Sequence, residues 1–158
     1  MPKDNFIIYA AYGSNLLKER FWFYIYGGVY MGNCYGGCSD KTAPEDMGWL
    51  RIPHRLYFAK KSYRWGNKGV AFLTSGVELR PDFQAVVRLW KVKESQFKEI
   101  KEQEGNWYNR ILDLGEKDGF LIKTFTGDHE NDIQEPSAAY LEIIKQGLKE
   151  TTGWGGTK

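Results

Sequence analysis

The sequence predicts an α+β protein, and three observations lead there. Short runs of strand character recur between polar turns that contain glycine. Helical periodicity is confined to a few segments, and the strand-like runs follow one another at spacings that suit neighbouring antiparallel strands.

The first run, 5–11, carries Phe6, Ile7, Ile8 and Tyr9, the apolar and β-branched character of a buried strand. The chain then turns at Gly13. Gly13, Ser14 and Asn15 in succession can take positive φ or bond their own backbone, so several N–H groups can converge on one point as a nest for an anion or a developing oxyanion. Residues 16–21 read as the opening turns of a helix, whose N-terminal dipole adds positive potential at the same place. A tight strand-to-helix turn with no ligand accounts for this stretch equally well.

Residues 21–49 interleave Trp22, Phe23, Tyr24, Tyr26, Tyr30 and Tyr35 with glycines and keep neither a period of 2 nor one of 3.6. So much aromatic surface is costly in water, which predicts a long ordered loop or lid over the core, or a stacking surface for a planar ligand. Strands are expected at 55–60, 69–74 and 85–92. A helix follows from Glu94 and is ended by Gly105 as its cap. Residues 107–114 and 120–126 read as a hairpin around the polar turn 116–119, and 127–135 as a polar, acidic loop. Pro136 and Ser137 open a last helix through about Glu150, with Leu141, Ile144 and Leu148 expected on its core face and Tyr140 and Gly147 one step around. Residues 1–150 form one expected domain and 151–158 a loosely held tail.

Composition narrows the function. A net charge of +2, with basic and acidic residues evenly interleaved, argues against nucleic acid or an anionic membrane as partner. No run approaches membrane-spanning length and no targeting segment opens the chain, so a cytoplasmic location is expected. Cys34 and Cys38 are the only cysteines, without further Cys or His at zinc-site spacing, so neither a metal nor another cofactor is expected. A disulfide between them would be unusual in a reducing compartment. His54 and His129 are the only candidate bases for a triad with Ser14, and Ser14 lacks the surroundings of a nucleophile elbow.

One side chain stands out. In the helix beginning at Glu94, Phe97 and Ile100 are apolar, and Glu104 continues their stripe at helical spacing, while Lys98, Glu99, Lys101 and Glu102 fall elsewhere. A carboxylate on the buried side costs free energy unless paired, bonded or neutralised, and the negative end of the helix raises its pKa further. A glutamate that snorkels out of a frayed last turn is the other reading.

With both stretches in hand, the sequence resembles the γ-glutamylcyclotransferase family. The likeness rests on Tyr9-x-x-Tyr12-Gly13-Ser14-Asn15-Leu16, on Glu102-Gln103-Glu104-Gly105 followed by Tyr108, and on Pro136-Ser137-x-x-Tyr140 leading to Gly147. It favours the branch with Tyr-Gly-Ser-Asn over the glutathione-directed and γ-glutamylamine relatives. It implies a compact mixed β-barrel flanked by helices. It also implies a γ-glutamyl group held by Tyr9, Ala10, Ala11, Tyr12, Gly13, Ser14 and Asn15, with Glu104 as general acid/base and Tyr140 lining the pocket. Ala10 stands where a Phe is common, Val87 where a Gly is frequent, and 21–49 has no counterpart in the family. The first two bear on packing beside the pocket and the third on the leaving group.

The implied chemistry suits a chain with neither triad nor cofactor motif. In a γ-glutamyl compound the substrate's own α-amine attacks its γ-carbonyl, closing 5-oxoproline and expelling an amine or amino acid. The expected partner is therefore a small γ-glutamyl molecule, and the sequence leaves a homodimer open. The alternative is a non-catalytic binding module for amino-acid-like ligands on the same fold, with Glu104 as a structural acceptor.

Overall fold

A computed structural model describes residues 5–154. Its centre is β1 (Phe6–Ala11), buried from Ile7 onward because every side chain there is apolar or aromatic and the strand is flanked on both edges. On one edge it pairs antiparallel with β7 (Ala85–Lys93), and on the other parallel with β9 (Phe120–Thr126). Outside these lie β4 (Glu45–Ile52), on β7, and β8 (Arg110–Lys117), on β9, giving one five-stranded mixed sheet. Two hairpins stand apart from it: β2 (Gly28–Tyr30) with β3 (Asn33–Tyr35), and β5 (Leu56–Ser62) with β6 (Lys68–Leu73).

Among the described residues the sheet does not close into the expected barrel. Where β6 approaches the main sheet, side-chain hydroxyls take the ladder positions: Leu73 N–H donates to Thr126 Oγ1 of β9 at 2.9 Å. The same polar groups are satisfied, but no continuous strand pairing results.

Three helices complete the fold: α1 (Lys18–Tyr26), α2 (Glu94–Glu104) and α3 (Ala138–Thr152). The expectation of a loop over 21–49 is corrected here. Phe21–Tyr26 belongs to α1, and β2, β3 and the start of β4 follow. The helical period is masked in the sequence because aromatics occupy both faces: Phe21, Tyr24 and Ile25 are buried, whereas Trp22, Phe23 and Tyr26 lie on the outer side. In α3 the buried face is Tyr140, Ile144 and Gly147, and Leu141 is exposed. The expected face was therefore rotated by one residue.

Gly147 decides this rotation. A Cβ there would stand 2.6 Å from Leu16 Cβ and 2.7 Å from Leu17 N, so only glycine lets the helix backbone lie against the 3-10 turn Gly13–Leu16. Ser137 caps α3 by accepting from Tyr140 N–H. At the other end Thr151 and Thr152 are still helical, Thr151 Oγ1 donates to Leu16 O at 3.3 Å, and Trp154 packs edge-on to Trp49. The remainder of the expected tail, 155–158, lies outside the described residues. Both cysteines are free thiols: Cys34 is exposed, whereas Cys38 is buried, with its thiol pushed up to about 12 by desolvation. Among the described residues no helix is long and apolar enough to cross a membrane.

Candidate active site

A cavity of about 360 Å³ opens where the 3-10 turn, α1, the end of α2, β6 and α3 converge. Glu104, the last residue of α2, stands on its wall and is partly exposed through it. Phe97 and Ile100 anchor the same helix stripe in the core, and Gly105, at φ +101, ends the helix just after the carboxylate. The stripe read from the sequence therefore leads into a cavity rather than out to bulk water.

One side chain bonds the carboxylate directly. Asn15 Nδ2 donates to Glu104 Oε1 and to the Tyr9 hydroxyl, both at 3.2 Å. Tyr24 also lowers the Glu104 pKa, and its hydroxyl is loaded by donors: Arg20 Nη2 at 3.1 Å and Arg64 Nη1 at 3.5 Å. Gln103, beside Glu104, donates to Tyr24 O and accepts from Gly37 N–H, which fixes α1 against the end of α2. Desolvation by burial pushes the Glu104 pKa above the ordinary carboxyl value. The charges of Arg20 and Arg64 and the neighbouring Tyr24 and Asn15 side chains oppose the shift without cancelling it.

The residues expected at the site divide into three groups. Tyr12, Ser14, Glu104 and Tyr140 line the cavity. Tyr9 and Asn15 stand behind it: the Tyr9 ring stacks on Phe125 at 5.4 Å and its hydroxyl receives Asn15, which connects the turn to Glu104. Ala10 and Ala11 do not reach the cavity, being buried in β1 opposite Leu89 and Arg88 of β7. Gly13 also lies off the cavity wall, bordering a second hollow with Leu16 and Ile144. It takes φ +70, and a Cβ there would meet Ala71 Cβ at 3.0 Å and the Tyr140 hydroxyl at 3.2 Å. The glycine thus admits Tyr140 to the cavity wall, a packing reason added to its backbone angle.

Arg20, Tyr24 and Arg64 also line the cavity and were not assigned to the site from the sequence, and Tyr108, quoted there only as part of the motif after Glu104, lines it too. Arg20 and Tyr24 are four apart on α1 and share its buried face, a signal present in the sequence but hidden among the aromatics. Arg64 comes from the 3-10 turn Tyr63–Trp65 between β5 and β6, and nothing local marks it. Among the described residues no three His, Cys, Asp or Glu side chains are grouped as a metal site.

No family model matches the chain. A curated relative, histone deacetylase 5 of Arabidopsis thaliana, is 28% identical over 185 aligned positions, which cover 90% of this chain; the chain spans 28% of that protein's length. Among solved structures the fold is similar to a gamma-glutamyl cyclotransferase, with TM-score 0.70 and 21% identity over 96% of this chain and 83% of that one. It is similar to an uncharacterized protein from Homo sapiens, with TM-score 0.69 and 22% identity over 94% and 82% of the two chains. YkqA from Bacillus subtilis aligns with TM-score 0.57 and 18% identity over 92% of this chain and 49% of that one. The chain thus has the α+β fold of gamma-glutamyl cyclotransferase, in agreement with the resemblance in its motifs.

Proposed function

We propose that the chain is a γ-glutamylcyclotransferase-like enzyme that releases 5-oxoproline from a γ-glutamyl amino acid or amine, with Glu104 as general acid and base. The observation that carries this reading is the state of Glu104: a carboxylate on a cavity wall, held by Asn15 of the 3-10 turn and raised in pKa by burial. An α-amine is largely protonated near neutral pH, so a base must take its proton and an acid must return one to the leaving nitrogen. A carboxyl with a raised pKa suits both steps. The substrate brings its own nucleophile, and ring closure from a held conformer draws on effective molarities of roughly 10⁵ M or more. Tyr12, Ser14 and Tyr140 are the cavity residues assigned to holding the γ-glutamyl group. The deacetylase name of the curated relative is not carried over, since the match spans only a minor part of that protein.

The test pairs 5-oxoproline release from a panel of γ-glutamyl dipeptides and γ-glutamylamines with melting curves on the same preparations. Glu104→Gln is expected to lose about 10²-fold or more in kcat while retaining binding. A carboxyl whose pKa is raised on folding contributes stability at low pH that is lost as pH rises through the folded value. The variant should therefore melt at or above the parent at neutral pH, with the advantage vanishing below the ordinary carboxyl range. A folded, fully active Glu104→Gln protein would end this mechanism. A wild-type protein that binds the panel without releasing 5-oxoproline would be the non-catalytic binding module.

A further inference from the structure

Both polar atoms of one residue's backbone, Ala71 in β6, are taken by tyrosines from other parts of the chain. Ala71 N–H donates to the Tyr140 hydroxyl of α3 at 2.9 Å, and the Tyr108 hydroxyl donates to Ala71 C=O at 2.8 Å. An N–H can only donate and a carbonyl can only accept, so the polarity of each phenol is forced. The Tyr140 hydroxyl accepts that hydrogen bond and keeps its own proton, for which no acceptor is bonded among the described residues. Tyr108 donates its proton and keeps its lone pairs.

The two phenols therefore differ in what they can offer a ligand. The N–H and C=O of one residue in an extended strand point to the same side, so the two phenolic oxygens stand beside each other. Both tyrosines line the cavity with Glu104, and Gly13 lacks the Cβ that would crowd the Tyr140 hydroxyl. Burial holds both phenols neutral well above physiological pH, so neither polarity changes in that range.

We infer that Tyr140 and Tyr108 form a donor and acceptor pair complementary to the C=O and N–H edge of a lactam. For the reaction, though not for lactam binding, this rests on the cyclotransferase reading. In an open γ-glutamyl chain the γ-oxygen and the α-nitrogen share no rigid edge. As the ring closes they come to lie side by side, so the pair fits the closing ring better than the open substrate. Tyr140 donates to the γ-oxygen as negative charge develops on it. Tyr108 accepts from the N–H that the attacking nitrogen retains. The bond from α-nitrogen to γ-carbon forms and the bond from γ-carbon to the leaving nitrogen breaks. The ammonium's two other protons leave the attacking nitrogen in turn through Glu104 and end on the released amine, and neither phenol gives up its proton.

The experiment titrates the wild-type protein with 5-oxoproline and with its lactone isostere, in which ring oxygen replaces N–H, and repeats both with Tyr108→Phe and Tyr140→Phe. Wild type is expected to bind the lactam about tenfold or more tightly than the lactone. Tyr108→Phe should erase that preference, and Tyr140→Phe should weaken both ligands alike. In turnover, Tyr140→Phe should lose on the order of 10²-fold in kcat with little change in KM, as the removal of one oxyanion donor does. Equal binding of lactam and lactone by wild type overturns the inference, as does a preference that survives in Tyr108→Phe, or no lactam binding at all. The wild-type comparison decides even if a variant fails to fold. Lactam preference without release of 5-oxoproline would sink the catalytic reading and leave the pair standing.

Discussion

Arg20 and Arg88 are both almost wholly buried, with 1% and 6% of their surface exposed, yet they are held in opposite ways. Arg88 of β7 is paired through both terminal nitrogens: Nη2 meets Asp46 at 2.8 Å, and Nη1 meets Glu150 of α3 at 2.5 Å and Leu16 O at 3.0 Å. Glu150 also accepts from Lys18 N–H, so one guanidinium ties β4, α3 and the 3-10 turn to the sheet. Arg20 makes one hydrogen bond, to Tyr24, and its Nε and Nη1 have no partner. It lies instead among the rings of Tyr24, Tyr30, Tyr35 and Trp65, at 4.6 to 5.8 Å from their centroids. Burying a guanidinium with unmade bonds is unfavourable and ring contacts offset only part of that cost. The difference teaches that Arg88 serves connection, whereas Arg20 keeps a positive charge beside the cavity whose field reaches Glu104.

The contrast can be broken at three points. Arg88→Met takes the guanidinium from Asp46, Glu150 and the Leu16 carbonyl, which keep the bonds from Gly48 N–H, Lys18 N–H and Thr151. Because both acids are partly exposed, the loss should be about 2–3 kcal/mol, below that of a fully buried pair, read as a fall in Tm. Its pH–rate profile should keep the parent's acid limb, since Arg88 is not among the groups that act on Glu104. A limb that moved with Arg88→Met would erase the distinction. Gly147→Ala attacks the same junction without touching a charge. The added methyl must displace the turn or α3, at roughly 1–3 kcal/mol, and kcat should fall because Ser14 and Asn15 move with the turn. Unchanged activity and Tm would show that the junction yields freely.

Arg20→Met should alter stability least, by about 1 kcal/mol or less, because the lost ring contacts are offset by removal of unsatisfied donors. Its signature is the pH profile. Arg20 lowers the Glu104 pKa, so without it the carboxyl ionises later and the acid limb should move to higher pH. An acid limb that stays in place while Tm collapses would make Arg20 a second clamp.

Glu104 was legible because its signal is local: Phe97, Ile100 and the cap at Gly105 place it on one stripe, and α2 runs as the sequence predicts. The turn at Gly13 was legible for the same reason. Its expected holding residues were only partly so: Ala10 and Ala11 stay buried in β1 and Gly13 borders a second hollow, away from the cavity that Tyr12 and Ser14 line. Arg64 reaches the site from the turn before β6, which no local pattern announces, whereas Tyr108 stands in the motif after Glu104 and meets β6 through Ala71. The strands from β5 to β9 were readable from alternation and turn residues. Closure of the sheet depends instead on which edges find backbone partners, and at β6 hydroxyls from Thr126, Tyr108 and Tyr140 take that part.

The junction of α3 with the 3-10 turn also bears on when the site can form. Thr151 and Leu16 are 135 positions apart, and Glu150 and Lys18 are 132 apart, so the contacts that fix the turn are among the most distant in sequence. Closing contacts of such separation costs more loop entropy than closing local ones and slows folding. The cavity is therefore expected to be completed late in folding, which hydrogen exchange of the turn Gly13–Leu16 during refolding would check. A partial opening that lifts α3 would dissolve the site while the five-stranded sheet stayed intact.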